Sequence, residues 1–311
     1  MKSNTGTLVI THRNYVANCR PSRKFDWSGP TAEPLRSTLG LHPQKLFVSR
    51  ANEIRIAEKI EGPPFNPYEY AKALGVEVQH VEKLPMDGLL KRLQSGKFLV
   101  QLKKEASPFR KNFTLAHELS HTFFFDHLME CSVRFRGNRA ADPEEEFLCD
   151  LGASELLMPA EVFRRDLTRF RQDGLITPVT LIQLVRLYQV SVQAVMIRCT
   201  DIVKDVACAI WRKSGAAINL EWIAPKSIGR LTLCQTTKTS IELAFDKPGE
   251  TITAVDSFYC RRGSNRMIRK KVSSLRTRTG CVISVLGPQT DEWKPARSNA
   301  PQDTWEQWWN R

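Results

Sequence analysis

Residues 113–121 read Phe-Thr-Leu-Ala-His-Glu-Leu-Ser-His, and this stretch decides how the fold is interpreted. His117 and His121 are four positions apart, so in an α-helix they lie on one face, one turn from each other. Glu118 is rotated about 100° from His117 by the 3.6-residue turn, so its carboxylate can lie beside a shared metal ion. The spacing therefore predicts a helix whose two imidazoles bind a metal, with Glu118 placed to take a proton from a water molecule.

The helix that carries this motif is expected to be buried. Ser107-Pro108 predicts its start, as a capping residue followed by proline at the first helical position, and its end is expected near Phe125. Apolar residues surround the two histidines, namely Phe109, Phe113, Leu115, Ala116, Leu119, Phe123 and Phe124. Buried polar groups are costly unless they are paired, and a metal supplies that partner. The alternative for so short a motif is a surface helix with two unrelated histidines.

A catalytic zinc site usually has three protein ligands and a water, so a third ligand is needed. His127 lies ten positions after His117, an offset that requires the helix to break at residue 124. Phe124 occupies that position, and a left-handed turn at phenylalanine is disfavoured. The sequence therefore favours His127 as an ordinary histidine near the helix end.

Glu146 is the second candidate for the third ligand, on the next helix and 25 residues after His121. Asp142-Pro143 predicts the start of that helix, which is expected to end at Leu157. Asp150 is one turn beyond Glu146 and can accept the far N–H of a ligand histidine. The adjacent acids Glu144 and Glu145 are expected to stabilise the helix N-terminus instead.

These residues together resemble the ImmA/IrrE-type metallopeptidases over roughly residues 50–200. The family pattern begins with a basic segment, which is followed by Phe-Thr-Leu-Ala-His-Glu-x-x-His. Further downstream it has Glu-x-x-x-Asn and then Leu-Leu-Met-Pro. In this sequence the basic segment is Arg110-Lys111, and residues 156–159 read Leu-Leu-Met-Pro. Asp150 stands where the family usually has Asn, and Gly152 where an aromatic residue is common.

The resemblance implies a cytoplasmic peptidase with one Zn²⁺ per chain, which acts on a protein substrate. The substrate implied is a DNA-bound repressor of the helix-turn-helix kind, cleaved in stress responses or in the induction of mobile elements. A strand predicted just before the motif helix can pair with an extended substrate if it is an edge strand, and interior placement is the alternative. That strand comprises Phe98, Leu99, Val100, Gln101 and Leu102.

The expected fold is α+β: a mostly helical, zincin-like peptidase domain with a small sheet, followed by a β-rich C-terminal domain. Strands of the latter are expected at 206–211, 217–222, 241–245 and 282–286. The predicted segments are an extended or loosely packed N-terminal arm at 1–48, a peptidase core at 49–160, a helical segment at 161–204, the β-rich domain at 205–290 and a tryptophan-containing tail at 291–311.

The composition of the chain further limits the classes of function that it can have. Eight scattered cysteines form no Cys-x-x-Cys pair, which excludes a zinc ribbon and favours reduced thiols in the cytoplasm. No apolar run approaches the roughly 18 residues that span a membrane, and no secretory signal is recognisable at the start of the sequence. The net charge of +13 is compatible with nucleic acid or an acidic partner, although a solvated basic face explains it equally well.

A different class of function is a DNA-binding or sensor protein in which the metal site is structural. Residues 184–195 resemble the spacing of a helix-turn-helix motif. Val192, Val195 and Met196 make the second helix apolar, however, which favours core packing over base reading. The β-rich region would then be the sensing or docking module.

Overall fold

The computed structural model describes residues 8–9, 25–29, 32–39, 42–127, 142–225, 228, 230–233, 238–262 and 264–287. These residues divide into two compact units. The first consists mainly of residues 23–163 together with 185–194, and the second of residues 164–184 and the chain from 195 onward. The expected α+β class is confirmed, with a helical part that holds a small sheet and a β-rich C-terminal part.

A four-stranded sheet runs through the first unit in the order β1-β3-β4-β2. Its strands are β1 (Leu8–Val9), β2 (Glu77–Val81), β3 (Gly88–Arg92) and β4 (Phe98–Lys103). β4 pairs parallel to β2 and antiparallel to β3. Val100 and Leu102 of β4 are fully buried.

Local capping explains where the helices of the first unit begin. They are α1 (Ala32–Leu39), α2 (Pro43–Ala57), α3 (Pro67–Ala73), α4 (Pro108–His127), α5 (Pro143–Leu157) and α6 (Ala160–Arg169), the last continuing into the second unit. The Asn66 side chain accepts the N–H of Tyr68 at 3.1 Å, and that of Asp142 accepts the N–H of Glu144 at 2.9 Å. Both caps precede a proline at the first helical position, and the start at Asp142-Pro143 agrees with the sequence analysis.

Three helices and the sheet form the core of the first unit. The ring of Phe47 on α2 lies 5.5 Å from that of Phe123 and 4.8 Å from that of Phe124, both on α4. Gly152 on α5 lies against Ser120 of α4, where an added Cβ would be 2.6 Å from the Ser120 hydroxyl oxygen. The lack of a side chain at residue 152 therefore lets α4 and α5 approach closely.

Helices α7 (Pro178–Tyr188) and α8 (Val192–Ile202) are bent by 111° at their junction. On α8, Val195, Met196 and Arg198 are at most 3% exposed. Side chains so buried cannot read base edges, so the structure supports core packing for this segment. Within the described residues no individual helix meets the length and hydropathy expected of a membrane span, and the bent α7–α8 pair meets them only jointly.

A six-stranded antiparallel sheet dominates the second unit, in the order β6-β5-β10-β9-β8-β7. Its strands are β5 (Ala207–Ser214), β6 (Ala217–Ala224), β7 (Arg230–Leu233), β8 (Thr251–Arg262), β9 (Ser264–Arg276) and β10 (Val282–Leu286). Helix α9 (Ser240–Asp246) packs on β8, β9 and β10 around Phe258 and Val272.

The strand expected at residues 241–245 is wrong, because these residues form α9. Thr239 and Glu242 make a capping box, in which the Thr239 hydroxyl accepts the N–H of Glu242 at 3.2 Å and Glu242 accepts the N–H of Thr239 at 2.7 Å. Ile241, Ala244 and Phe245 then fall on one helical face and are buried. The length of this short apolar run fits a strand and a helix alike, so length does not decide between the two elements.

Part of the N-terminal segment 1–48 also differs from the expected loose arm. Helix α1 and the first turns of α2 lie within it, and Trp27 and Leu35 are buried. The tryptophan-containing tail at 291–311 lies outside the described residues, and the other predicted domain boundaries stay predictions.

Candidate metal centre

Helices α4 and α5 bring His117, His121 and Glu146 together. One ligand atom from each lies within 4.8 Å of the other two, and His117 Nε2 is 3.6 Å from Glu146 Oε2. Ligands around a tetrahedral zinc ion are about 3.3–3.6 Å apart, given zinc–ligand bonds of about 2.0–2.2 Å. The His117–Glu146 separation already has that value, so a small contraction of the remaining distances would complete the set.

Two carboxylates orient the imidazoles. His117 Nδ1 is 2.9 Å from Asp150 Oδ1, and His121 Nδ1 is 3.1 Å from Glu145 Oε1. When each Nδ1–H donates to its carboxylate, each Nε2 carries the lone pair that a metal needs. The partner expected for a ligand histidine at Asp150 is therefore in place, whereas the contact of Glu145 was not predicted.

The three adjacent acids of α5 have three different surroundings. Glu146 lies with the histidines, and Glu145 contacts His121. Glu144 is buried and accepts the backbone N–H groups of Trp27 at 3.1 Å and Gly29 at 2.8 Å. Consecutive helical side chains point about 100° apart, which separates the three roles. Sequence reasoning missed the role of Glu145, because Glu145 reaches His121 only when α5 packs antiparallel beside α4.

The cluster concentrates negative charge around a buried histidine. Burial lowers the pKa of His117, but the hydrogen bond to Asp150 and the charges of Asp150, Glu146 and Glu118 outweigh it and raise the pKa to about 9. Burial and the neighbouring carboxylates also raise the pKa of Cys149, which keeps it a neutral thiol and a poor ligand. Two imidazoles, one carboxylate and surplus negative charge form a donor set that suits a divalent zinc ion.

Glu118 lies against the first residue of β3. Its side chain is buried, and a Cβ added at Gly88 would be 2.9 Å from Glu118 Oε1 and 2.4 Å from Cγ2 of Thr114. Only glycine therefore fits at residue 88 without moving the proposed base. Arg110 is one of the two basic residues that precede the motif, and it forms an ion pair with Asp87. Its Nε lies 2.8 Å from Asp87 Oδ2, and this contact links the turn before β3 to α4.

Two other predictions concern residues that the structure does not bring to the cluster. Helix α4 continues unbroken through Phe124 to His127, so the turn that would return His127 to the metal is absent; the side chain of His127 is outside the described residues. Strand β4 is an interior strand, because β3 pairs with one side of it and β2 with the other. It contains the five predicted substrate-binding residues Phe98, Leu99, Val100, Gln101 and Leu102. The expectation that these five residues pair with a substrate is therefore wrong.

Comparison with known proteins agrees with the motifs. Residues 71–200 match the family model of the IrrE N-terminal-like domain, peptidase family M78. The radiation response metalloprotease IrrE of Deinococcus deserti is 38% identical over 79 residues, which are 24% of this chain and 28% of that protein. The match thus spans little more than a quarter of the relative's length. A transcriptional regulator of Mycobacterium tuberculosis aligns over 79% of this chain and 80% of its own, with 14% identity and a TM-score of 0.43.

Proposed function

We propose that this chain, whose residues 71–200 form a domain of the ImmA/IrrE family, is a zinc-dependent endopeptidase with one zinc ion per chain. The observation that carries the proposal is the meeting of His117, His121 and Glu146 within 4.8 Å, with Glu118 next to them in the sequence. Two histidines and a glutamate leave one zinc position for water or substrate, which is the arrangement of a catalytic rather than a structural site.

Each residue of the site has its own role in peptide hydrolysis. A bound zinc ion would supply a Lewis acid that acidifies water and polarises the scissile carbonyl. Glu118 takes a proton from the attacking water and delivers it to the leaving amine nitrogen. Asp150 and Glu145 keep the two imidazoles in the tautomer and orientation that present Nε2.

The substrate class follows from the resemblance rather than from the site. We infer a specific protein substrate, a helix-turn-helix repressor, cleaved in a stress response or in mobile-element regulation in the cytoplasm. The similarity to a radiation response metalloprotease supports a stress-linked role. The proposal implies few cleavage sites and slow action on generic proteins.

A DNA-binding or sensor function with a structural metal is the second candidate. Its helix-turn-helix version is disfavoured, because Val195, Met196 and Arg198 of the second helix are buried. Its metal site would also have no need of a buried glutamate beside the ligands.

The test is cleavage by the full-length chain of helix-turn-helix repressors from the same genome, read by mass spectrometry of new N-termini. Zinc-loaded protein is expected to cut at one or few positions, and Glu118→Gln is expected to abolish cutting while zinc stays bound. Glu161→Gln, which changes an exposed acid on α6, is the matched control and should cut normally. Cutting by the Glu118→Gln variant at the normal rate would contradict the proposal.

A further inference from the structure

The first strand of the small sheet lies on the side of β3 that faces away from β4. In the strand order β1-β3-β4-β2, β3 has β4 on one side and β1 on the other, here called the outer side of β3. β1 is antiparallel to β3, with Leu8 opposite Arg92 and Val9 opposite Lys91. The chain therefore covers part of the outer side of β3 with its own backbone.

β3 is also the strand that contacts the proposed catalytic base. A Cβ added at Gly88, the first residue of β3, would be 2.9 Å from Glu118 Oε1. Side chains two apart on a strand point the same way, so Leu90 and Arg92 face α4 as Gly88 does. Leu90 is buried, and the guanidinium of Arg92 lies 5.6 Å from the ring centre of Phe125 on α4. β3 therefore runs alongside the helix that carries the candidate catalytic residues.

Every second residue of β3 turns its backbone groups to the outer side. Just before β3, the carbonyl oxygen of Asp87 accepts the N–H of Lys103 at 2.9 Å, and just after β3 the carbonyl oxygen of Lys97 accepts the N–H of Leu93 at 2.8 Å. Residues with odd numbers therefore face β4, because the direction alternates along an antiparallel strand. The even-numbered residues of β3 present their N–H and C=O groups to the outer side.

An extended substrate that pairs with β3 needs this same outer side. Such a peptide adds a strand to the sheet through main-chain hydrogen bonds, and at Gly88 it would lie beside Glu118. A strand rises about 3.4 Å per residue, so Arg92 is about 14 Å from Gly88, a distance that about four further substrate residues would span. β1 already pairs with Arg92. A substrate strand of that length and β1 therefore exclude each other.

We propose that β1 is an inhibitory strand, which occupies part of the substrate's position on β3 and leaves when a substrate pairs there. This inference rests on the proposed peptidase function and adds a regulation of the same site. Leu8 lies opposite Arg92, whose backbone groups face outward, so the N–H and C=O of Leu8 are the groups that bond to β3. Those of Val9 point away from β3.

The test is the steady-state kinetics of cleavage by the full-length chain, with the repressor that it cuts as the substrate. Leu8→Pro removes an N–H that bonds to β3 and is expected to lower KM by about 2- to 10-fold with kcat unchanged, because the competing strand loses one hydrogen bond. Val9→Pro is the matched control, because the N–H that it removes points away from β3, and its KM should stay normal. Unchanged KM in Leu8→Pro, or an equal fall in Val9→Pro, would overturn the proposal.

A second measurement does not depend on cleavage. A fluorescein-labelled synthetic peptide with the sequence of residues 4–13 is titrated with the unmodified chain and with the Leu8→Pro chain, and binding is measured by fluorescence anisotropy. We expect tighter binding to the Leu8→Pro chain, because its own β1 no longer competes, and weaker binding of a peptide that itself carries Leu8→Pro. Equal binding of the peptide by both chains would overturn the inference. Tighter binding to the Leu8→Pro chain without any cleavage would support the inhibitory strand and contradict only the proposed function.

Discussion

A shift of one position along α5 decides whether a carboxylate serves the metal cluster or the fold. Glu145 contacts His121, whereas Glu144 fastens the backbone of Trp27 and Gly29. The two residues are chemically identical, and sequence reasoning gave both the same role at the helix N-terminus. Only the packing of α5 against α4 and the N-terminal segment separates them.

Substituting these two glutamates should therefore affect different properties, zinc affinity for Glu145 and folding stability for Glu144. Glu145→Gln is expected to lower zinc affinity by about 10- to 100-fold, because the charge that orients His121 is lost, with little change in stability. Glu144→Gln is expected to lower the free energy of unfolding by about 1–3 kcal/mol, because one of two buried N–H groups loses its partner, with zinc affinity retained. Competition with a zinc chelator and urea unfolding measure the two quantities. The reverse pattern would contradict the assignment.

Gly88 makes a second prediction for a single residue. Gly88→Ala is expected to lower the cleavage rate by about 100-fold with zinc content unchanged, because the new Cβ displaces Glu118 from its position. Adding Thr114→Ser removes Cγ2, the atom nearest to that Cβ, and should recover part of the rate. Normal cleavage by Gly88→Ala, or loss of its zinc, would show that residue 88 does not position Glu118.

At the scale of elements, the closeness of α4 and α5 depends on Gly152. Gly152→Ala is expected to lower the free energy of unfolding by about 1–3 kcal/mol, because its Cβ would meet Ser120 at 2.6–2.9 Å. This loss outweighs the roughly 1 kcal/mol that alanine gains over glycine in a helix. Zinc affinity should fall with it, since Glu146 moves away from the histidines. Urea unfolding that shows Gly152→Ala to be the more stable protein would contradict the close-packing account.

The start of α9 is held by a buried carboxylate whose effect depends on pH. Asp256 accepts the N–H and hydroxyl of Ser240, and burial raises the pKa of Asp256 although these hydrogen bonds oppose the shift. A raised pKa means that the folded state favours the neutral acid, so stability is lost as the pH rises through that pKa. The stability of Asp256→Asn relative to the unmodified chain is therefore expected to grow as the pH rises above the ordinary aspartate pKa of 3.8. Thermal unfolding over this rise in pH, with Asp246→Asn at an exposed position as control, measures the difference, and a constant difference would contradict it.

The elements that sequence predicted well are those with a local signal. Ser107-Pro108 and Asp142-Pro143 predict the starts of α4 and α5, and the structure places both helices there. The run at 241–245 fits a strand and a helix alike by its length, and the Thr239–Glu242 capping box decides for a helix. Strands β8 and β9 were missed because their many basic residues were interpreted only as charge.

For the whole molecule, the cluster of His117, His121 and Glu146 could be predicted, because a fixed spacing on one helix specifies the two histidines and the next helix begins with acidic residues. The interior position of β4 could not, because strand order depends on contacts between distant residues and not on the strand itself. The same applies to Gly88, which gains its importance only where β3 meets α4. Charge totals gave +13 without showing that nearly half of it lies on one hairpin.

The zinc content of the full-length chain and its single variants tests the central claim most directly. We predict one zinc ion per chain after dialysis, measured by mass spectrometry of the metal. Removal of any imidazole or carboxylate of the trio, by His117→Ala, His121→Ala or Glu146→Ala, should abolish retention, while Glu118→Gln keeps it. Full zinc in the Glu146→Ala variant, or loss of zinc in Glu118→Gln, would contradict the account.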